Sequence, residues 1–141
     1  LLAWDPLEER HTSTYIDNPA WQRSITMAGE AGVSALAARS WSPGRWGDLL
    51  LASRTFATAS GMLEEEERAR IHRHTLEAVQ DGGWQASMAV RLCMLGSSVA
   101  VLPRTLDDGG AVEELEHLAE RIRQRGFACL ITSISPVSHL D

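Results

Sequence analysis

The chain has 141 residues, 44% of them apolar and 23% charged, which is typical of a folded domain and not of a disordered segment. Its net charge of −6 argues against a nucleic-acid partner, because neutralising phosphates requires a concentrated basic face. The sequence contains no lysine, which excludes a P-loop and a lysine Schiff base.

The N-terminal half predicts a helix followed by a strand. Residues 1–16 show no sustained period and are interpreted as a linker or an edge segment, and residues 17–141 as a single α/β domain. Asp17 or Asn18 is a suitable N-cap for a helix whose first turn contains Pro19. After a loop at "SWSPGRWGD", the apolar run "DLLLASRTF" has the length of a buried strand, and we expect a strand there.

The C-terminal half predicts a helix, a hairpin, a second helix and a final strand. The first helix begins with "EEEE", where the helix dipole favours negative charge, and we expect the ion pairs Glu64–Arg68 and Glu66–Arg70. The segments "QASMAVRLCML" and "SSVAVLP" are predicted as a hairpin around Gly96. An amphipathic helix at "VEELEHLAERIR" and a buried strand at "FACLITSIS" follow. This order indicates an α/β sandwich whose central, mixed sheet contains a hairpin and is flanked by about three helices.

The usual motifs of enzyme active sites are absent from the sequence. It has no Walker loop, no GxGxxG, no GxSxG and no HExxH. His72 and His74 are two residues apart on a predicted helix and therefore point to nearly opposite sides. Glu113, His117 and Glu120 share one helical face, which we interpret as a solvated surface in preference to a metal site. The sequence accordingly predicts no catalytic residue, no metal and no cofactor.

Cysteine usage and hydropathy indicate the compartment. Cys93 and Cys129 lie in apolar runs, which predicts small core residues and not a disulfide. No apolar run has the length that spans a bilayer, and no signal-peptide pattern is present, so we expect a cytoplasmic location without membrane insertion. The start at "LLAWDP", without a methionine, indicates a fragment of a longer protein.

Several segments, taken together, resemble a GGDEF domain, the family of diguanylate cyclases. They are "LLLASRTFATAS", "RLCMLGSSVAVLP", "LAERIR" and "ITSISP", in the family's order of first strand, hairpin, helix and strand. The segment "DNPAWQR" stands where the family's opening motif would stand, and Phe56 falls on the phenylalanine of the family's first strand. The resemblance implies an α/β domain derived from an enzyme.

The residues that carry this family's chemistry are replaced. The metal-binding aspartate of the family's first strand corresponds to Ala52, and the acidic residues of its hairpin loop correspond to Ser97 and Ser98. Neither alanine nor serine supplies the carboxylate oxygens that two Mg²⁺ ions require. The product-binding RxxD motif is missing from the region around residues 87–90. The resemblance therefore implies a domain that neither makes cyclic di-GMP nor binds it at the usual inhibitory site.

Three kinds of function remain open at this point. The first is a catalytically inactive regulatory or scaffolding domain of a larger bacterial signalling or secretion protein, which contacts a partner protein or other domains of the same chain. The second is a sensor for a nucleotide or another small ligand. The third is an enzyme whose active site is completed by other parts of the chain. A RecA-like domain, derived from a nucleotide hydrolase and lacking its phosphate loop, is also open, because "LAERIRQRGFACLITS" suits a βαβ crossover as well. The candidate ligand- or partner-binding residues are Arg54, Arg91, Gly96, Ser97 and Ser98.

Overall fold

The computed structural model describes residues 1–7, 17–93, 96–106 and 112–133. Within these ranges the chain forms four α-helices and four β-strands. The strands are β1 (Leu2–Trp4), β2 (Met88–Leu92), β3 (Ser98–Pro103) and β4 (Ala128–Leu130). The helices are α1 (Pro19–Ala37), α2 (Trp46–Ala59), α3 (Glu66–Asp81) and α4 (Val112–Gln124).

The four strands form one sheet in the order β2-β3-β1-β4. Leu2 of β1 is paired with Ala100 of β3 on one side and with Leu130 of β4 on the other. β2 and β3 form the predicted hairpin, in which Arg91 is opposite Ala100. With α1 to α3 between β1 and β2, and α4 between β3 and β4, the order of elements is the split βαβ arrangement. The predicted α/β class, with a central sheet that contains a hairpin, is confirmed.

One face of the sheet, which we call the inner face, carries the hydrophobic core. Helices α3 and α4 pack on it, and the amphipathic pattern of α4 is confirmed because Leu118 and Ile122 are buried. Each fully buried leucine or isoleucine contributes about 1.5–3 kcal/mol to folding. The sheet residues of this core are Leu1, Ala3, Met88, Val90, Val99 and Val101.

Two details of the sheet differ from the sequence expectations. The sheet is antiparallel throughout and not mixed, because β1 separates β3 from β4, the two strands that helix α4 connects in the same direction. Leu2–Trp4, expected in a linker or edge segment, forms an interior strand. Three residues are too few for a period to be recognised. Residues 8–16 of that expected segment lie outside the described ranges.

The strand predicted at "DLLLASRTF" is wrong, since these residues belong to helix α2. Leu50 and Ala57 are the buried residues of α2, and they lie two helical turns apart on one side. A short, uninterrupted apolar run does not distinguish a buried strand from a helix by its period, and here tertiary packing decides. Ala52 and Phe56, which the family resemblance places on a strand, are therefore helical.

Arg45 joins the first two helices. It is buried, and its Nη1 donates hydrogen bonds to the carbonyl oxygens of Leu36, Arg39 and Ser40 at the end of α1. Its Nε donates to the Asp48 carboxylate, 2.9 Å away, in the first turn of α2. Carbonyls at a helix C-terminus have no intrahelical donor, so this guanidinium caps α1 and at the same time fixes the start of α2.

The replacement Arg45→Gln is expected to lower the free energy of unfolding by about 2 kcal/mol, because buried carbonyls lose their donors. Arg39→Gln is the matched control, since Arg39 also pairs with Asp48 but is largely exposed, and exposed ion pairs contribute little. Urea unfolding of both variants measures the difference. Equal midpoints for the two variants would contradict the capping role of Arg45.

Candidate ligand- and partner-binding surfaces

The hairpin turn before β3 carries three of the predicted site residues. Gly96 has a φ of +68°, a left-handed conformation that favours glycine. The Ser97 carbonyl accepts a hydrogen bond from the amide of Asp5, 3.1 Å away, and so joins the turn to the end of β1. The Ser98 carbonyl accepts a hydrogen bond from the amide of Cys93, 2.9 Å away, which closes the hairpin.

Ser97 is enclosed by the protein. It is 7% exposed, and its Oγ has no hydrogen-bond partner among the described residues. The fully buried Arg68 also contacts this hairpin, because its Nη1 lies 3.4 Å from the Cys93 carbonyl oxygen. Polar contacts within the protein thus hold the turn, and the Ser97 side chain is not open to a ligand.

The ion pairs predicted within the first turns of α3 are wrong. The Nε of Arg68 pairs with Glu65 at 2.7 Å, and Arg70 pairs with Asp5. Because α3 begins at Glu66, the predicted partner of Arg68 precedes the helix and does not share its face. Asp5 directly follows β1, so the Arg70–Asp5 pair is a tertiary contact that helical spacing does not reveal. This pair links α3 to the end of β1.

Arg91 and Trp46 fix α2 against the hairpin. The Arg91 side chain lies on the outer face of the sheet, opposite the core, and its Nε donates to the Leu50 carbonyl at 2.7 Å. Its Nη1 donates to the Val90 carbonyl, also at 2.7 Å. The indole nitrogen of Trp46 donates to the Pro103 carbonyl at 2.7 Å. Helix α2 is therefore anchored at two points along β2 and β3.

His72 is influenced electrostatically by Arg54 and Arg91. Arg54 lies one helical turn beyond Leu50, whose carbonyl binds Arg91, and His72 lies on α3. Burial lowers the pKa of the His72 imidazole, and the positive charges of Arg91 and Arg54 lower it further. Burial also lowers the pKa of Arg91, with smaller contributions from Arg104 and Arg54. The lowered pKa of His72 favours its uncharged form.

The outer face of the sheet is apolar and only partly covered. Paired residues of antiparallel strands point to the same side, so Arg91, Ala100, Leu2 and Leu130 form one row. Helix α2 packs against β2, where Ala89 is 1% exposed. Over the other strands the outward side chains reach solvent, and Leu130 is 55% exposed. We call this open region the apolar patch; its apolar residues are Leu2, Trp4, Ala100, Leu102, Ala128 and Leu130, and the polar Ser98, paired with Trp4, points to the same side.

The structure divides the predicted site residues into two groups. Arg91 binds the Leu50 carbonyl one helical turn before Arg54, whereas Gly96 and Ser97 lie at the hairpin turn and Ser98 begins β3. The sequence does not reveal that the two arginines act electrostatically on His72, because helical spacing says nothing about how the elements pack. It also misses the apolar patch, whose only sequence signal is the alternation of Leu2, Ala3 and Trp4 in a strand too short to recognise.

The structure also describes the surroundings of the candidate metal ligands and of the two cysteines. Among the described residues, no group of three or more His, Cys, Asp or Glu side chains is placed to hold a metal ion. His117 and Glu120 instead line a surface groove of about 540 Å³, together with Trp84. Cys93 and Cys129 are free thiols, and burial raises the pKa of Cys129.

No family model, no curated protein and no solved structure matches the chain. In the described part of the chain, none of the helices combines the length and the apolar character needed to cross a membrane.

The lowered pKa of His72 predicts that acid destabilises the fold. A histidine of the unfolded chain titrates near pH 6.5, so the unfolded state takes up its proton first as the pH falls. The free energy of unfolding then decreases between that pH and the lower pKa of the folded state. Urea unfolding of the wild type and of His72→Gln, at several values between about pH 7 and pH 5, isolates this contribution. The variant is expected to show the shallower decline, and identical slopes would contradict the lowered pKa.

Proposed function

We propose that this chain is a regulatory or scaffolding domain without catalytic chemistry of its own, which binds a partner protein through the apolar patch. The observation that carries the proposal is the exposure of Leu2, Trp4 and Leu130 beside one another on the outer face. Single exposed apolar side chains are common on proteins, whereas a contiguous apolar patch is typical of a contact surface.

The dimensions of the patch favour an amphipathic helix as the part of the partner that binds. Domains normally bury both apolar faces of a sheet, and among the described elements it is α2 that packs on the outer face, chiefly at β2. The three remaining strands are about 10 Å across, since neighbouring strands lie about 4.8 Å apart. A helix with its side chains is about 10 Å wide. One helix packed beside α2 therefore completes the outer layer.

The charge of the patch specifies the chemistry of that helix. Over β3, β1 and β4 the outward residues of the paired strands are uncharged, and Arg91 lies at the β2 end of the row. A charged group in the middle of the partner's contact face would lose its water without gaining a counter-charge. The matching helix presents aliphatic or aromatic residues at i, i+3, i+4 and i+7.

The hairpin's resemblance to that of GGDEF domains supports the same class of function, although the segment matched to the family's first strand is helical in this chain. Ser97 and Ser98 stand where that family has acidic residues, and a domain that keeps its core without metal ligands acts through its contacts. On this basis we also propose that the domain belongs to a larger, cytoplasmic bacterial signalling or secretion protein. A partner protein or another domain of the same chain would then supply the helix.

Site-specific photo-crosslinking in the producing cell tests the proposed function. A photo-reactive amino acid replaces Leu130 in the patch or, as the control, Gln124, which is exposed on α4. We expect a protein adduct from position 130 and none from position 124. Adding Leu2→Arg is expected to reduce the adduct about tenfold or more, because losing a central interface residue costs about 2 kcal/mol.

Two further measurements make the test decisive. Thermal unfolding of the Leu2→Arg protein must match the wild type, so that loss of the adduct reports binding and not unfolding. Mass spectrometry of the adduct then identifies the crosslinked segment, which we expect to be the apolar face of a helix. Equal adducts from positions 130 and 124, or an adduct that Leu2→Arg leaves unchanged, would refute the proposed function. A crosslinked extended strand would refute only the helical partner.

A further inference from the structure

We propose that the surface groove between α3 and α4 is a binding site for a free amino acid, whose carboxylate contacts Arg121 and whose ammonium group contacts Glu120. This inference goes beyond the proposed function and does not rest on it. Helices α3 and α4 pack on the inner face of the sheet, whereas the apolar patch lies on the outer face. The two sites are therefore on opposite sides of the sheet, and each has its own experiment.

The groove lies where the C-terminal end of α3 meets one face of α4. Its volume of about 540 Å³ is within the range of small-molecule sites, about 300–1,000 Å³. Asp81 and Gly82, at the end of α3, form one wall. The other wall consists of α4 residues spaced three or four apart, which is the spacing of one helical face. These residues are His117, Glu120, Arg121 and Gln124.

Trp84 is the apolar wall of this groove, and it is held in place. Its amide donates to the Val79 carbonyl at 3.0 Å, and its side chain packs against the hydrophobic core. The indole ring also lies directly against the backbone of Gly82, because a Cβ atom there would be 2.2 Å from two ring carbons. Glycine at position 82 therefore leaves the room that the ring needs to line the groove.

The groove carries one positive and one negative group that lack an opposite charge. The Arg121 guanidinium lies 5.9 Å from the centroid of the Trp84 ring, a cation–π contact. It forms no ion pair with any residue that the structure describes, so its N–H donors are available to a ligand. The Glu120 carboxylate accepts a hydrogen bond from the neutral Gln124 amide at 3.1 Å, and it too lacks an ion pair within the described ranges.

A ligand that matches these two groups carries both charges itself. A carboxylate accepts two parallel hydrogen bonds from a guanidinium, and an ammonium group donates to a carboxylate. A purely anionic ligand would face Glu120, and a purely cationic one would face Arg121. The third charged group of the lining, Asp81, already pairs with Arg125 at 2.8 Å. A free amino acid supplies the two charges, and an apolar side chain on it suits the Trp84 ring.

Titration with phenylalanine and with leucine, followed by NMR, tests the proposed site. The indole N–H signal of Trp84 and the Nε–H signal of Arg121 are observed at constant pH and ionic strength, and we expect shifts that saturate. N-acetylphenylalanine lacks the ammonium charge, and phenylalanine amide lacks the carboxylate charge. Each is expected to bind about tenfold more weakly than phenylalanine, the effect of losing one charge-assisted contact.

Two pairs of variants on α4 assign the contacts. Arg121→Gln and Glu120→Gln are each expected to weaken phenylalanine binding about tenfold. Arg123→Gln and Glu116→Gln are the matched controls, since they change exposed residues of the same helix outside the groove. The controls should stay within about twofold of the wild type, because removing a distant charge changes only a screened field. Glu120 is itself exposed, so its variant keeps the test valid even where losing the Arg121 contact with the indole lowers stability.

Three results would overturn the proposed amino-acid site. They are shifts that saturate with neither phenylalanine nor leucine, analogues lacking one charge that bind as tightly as phenylalanine, and equal weakening by the groove variants and their controls. None of these results bears on the photo-crosslink from position 130, so the failure of one proposal is distinguishable from the failure of the other.

Discussion

The burial of apolar surface in this domain is determined by which face of the small sheet each described helix covers. Helices α3 and α4 bury the inner face, and Ile71, Leu118 and Ile122 are among its fully buried side chains. Among the described elements, only α2 packs on the outer face, and the hydrogen bonds of Arg91 and Trp46 hold it at the hairpin. Burying apolar area yields about 25 cal/mol for each Å² removed from water. The described helices therefore bury the inner face more completely than the outer face, where Leu2, Trp4 and Leu130 are exposed.

Helix α1 also contributes little to the buried core. This helix has a good N-cap, since the Asn18 carboxamide oxygen accepts from the amide of Ala20 at 3.0 Å, yet none of its residues is buried. It packs on α2 and leaves Met27 70% exposed. Segments with few buried apolar contacts have the lowest free energies of local unfolding. The Arg45 cap, together with the direct packing of the two helices, fixes how α1 and α2 meet.

The elements that the sequence predicts correctly are those encoded by neighbouring residues. The Asn18 cap, the amphipathic face of α4 and the hairpin strands follow from residue type and period, and the structure contains them. The predictions failed where tertiary contacts decide. The run at Leu49–Phe56 is helical because α2 packs against β2, and Leu2–Trp4 is an interior strand because β3 and β4 pair with it. The same limit applies to function: Arg54 and Arg91 are predicted separately, and only the fold shows that their charges act on His72.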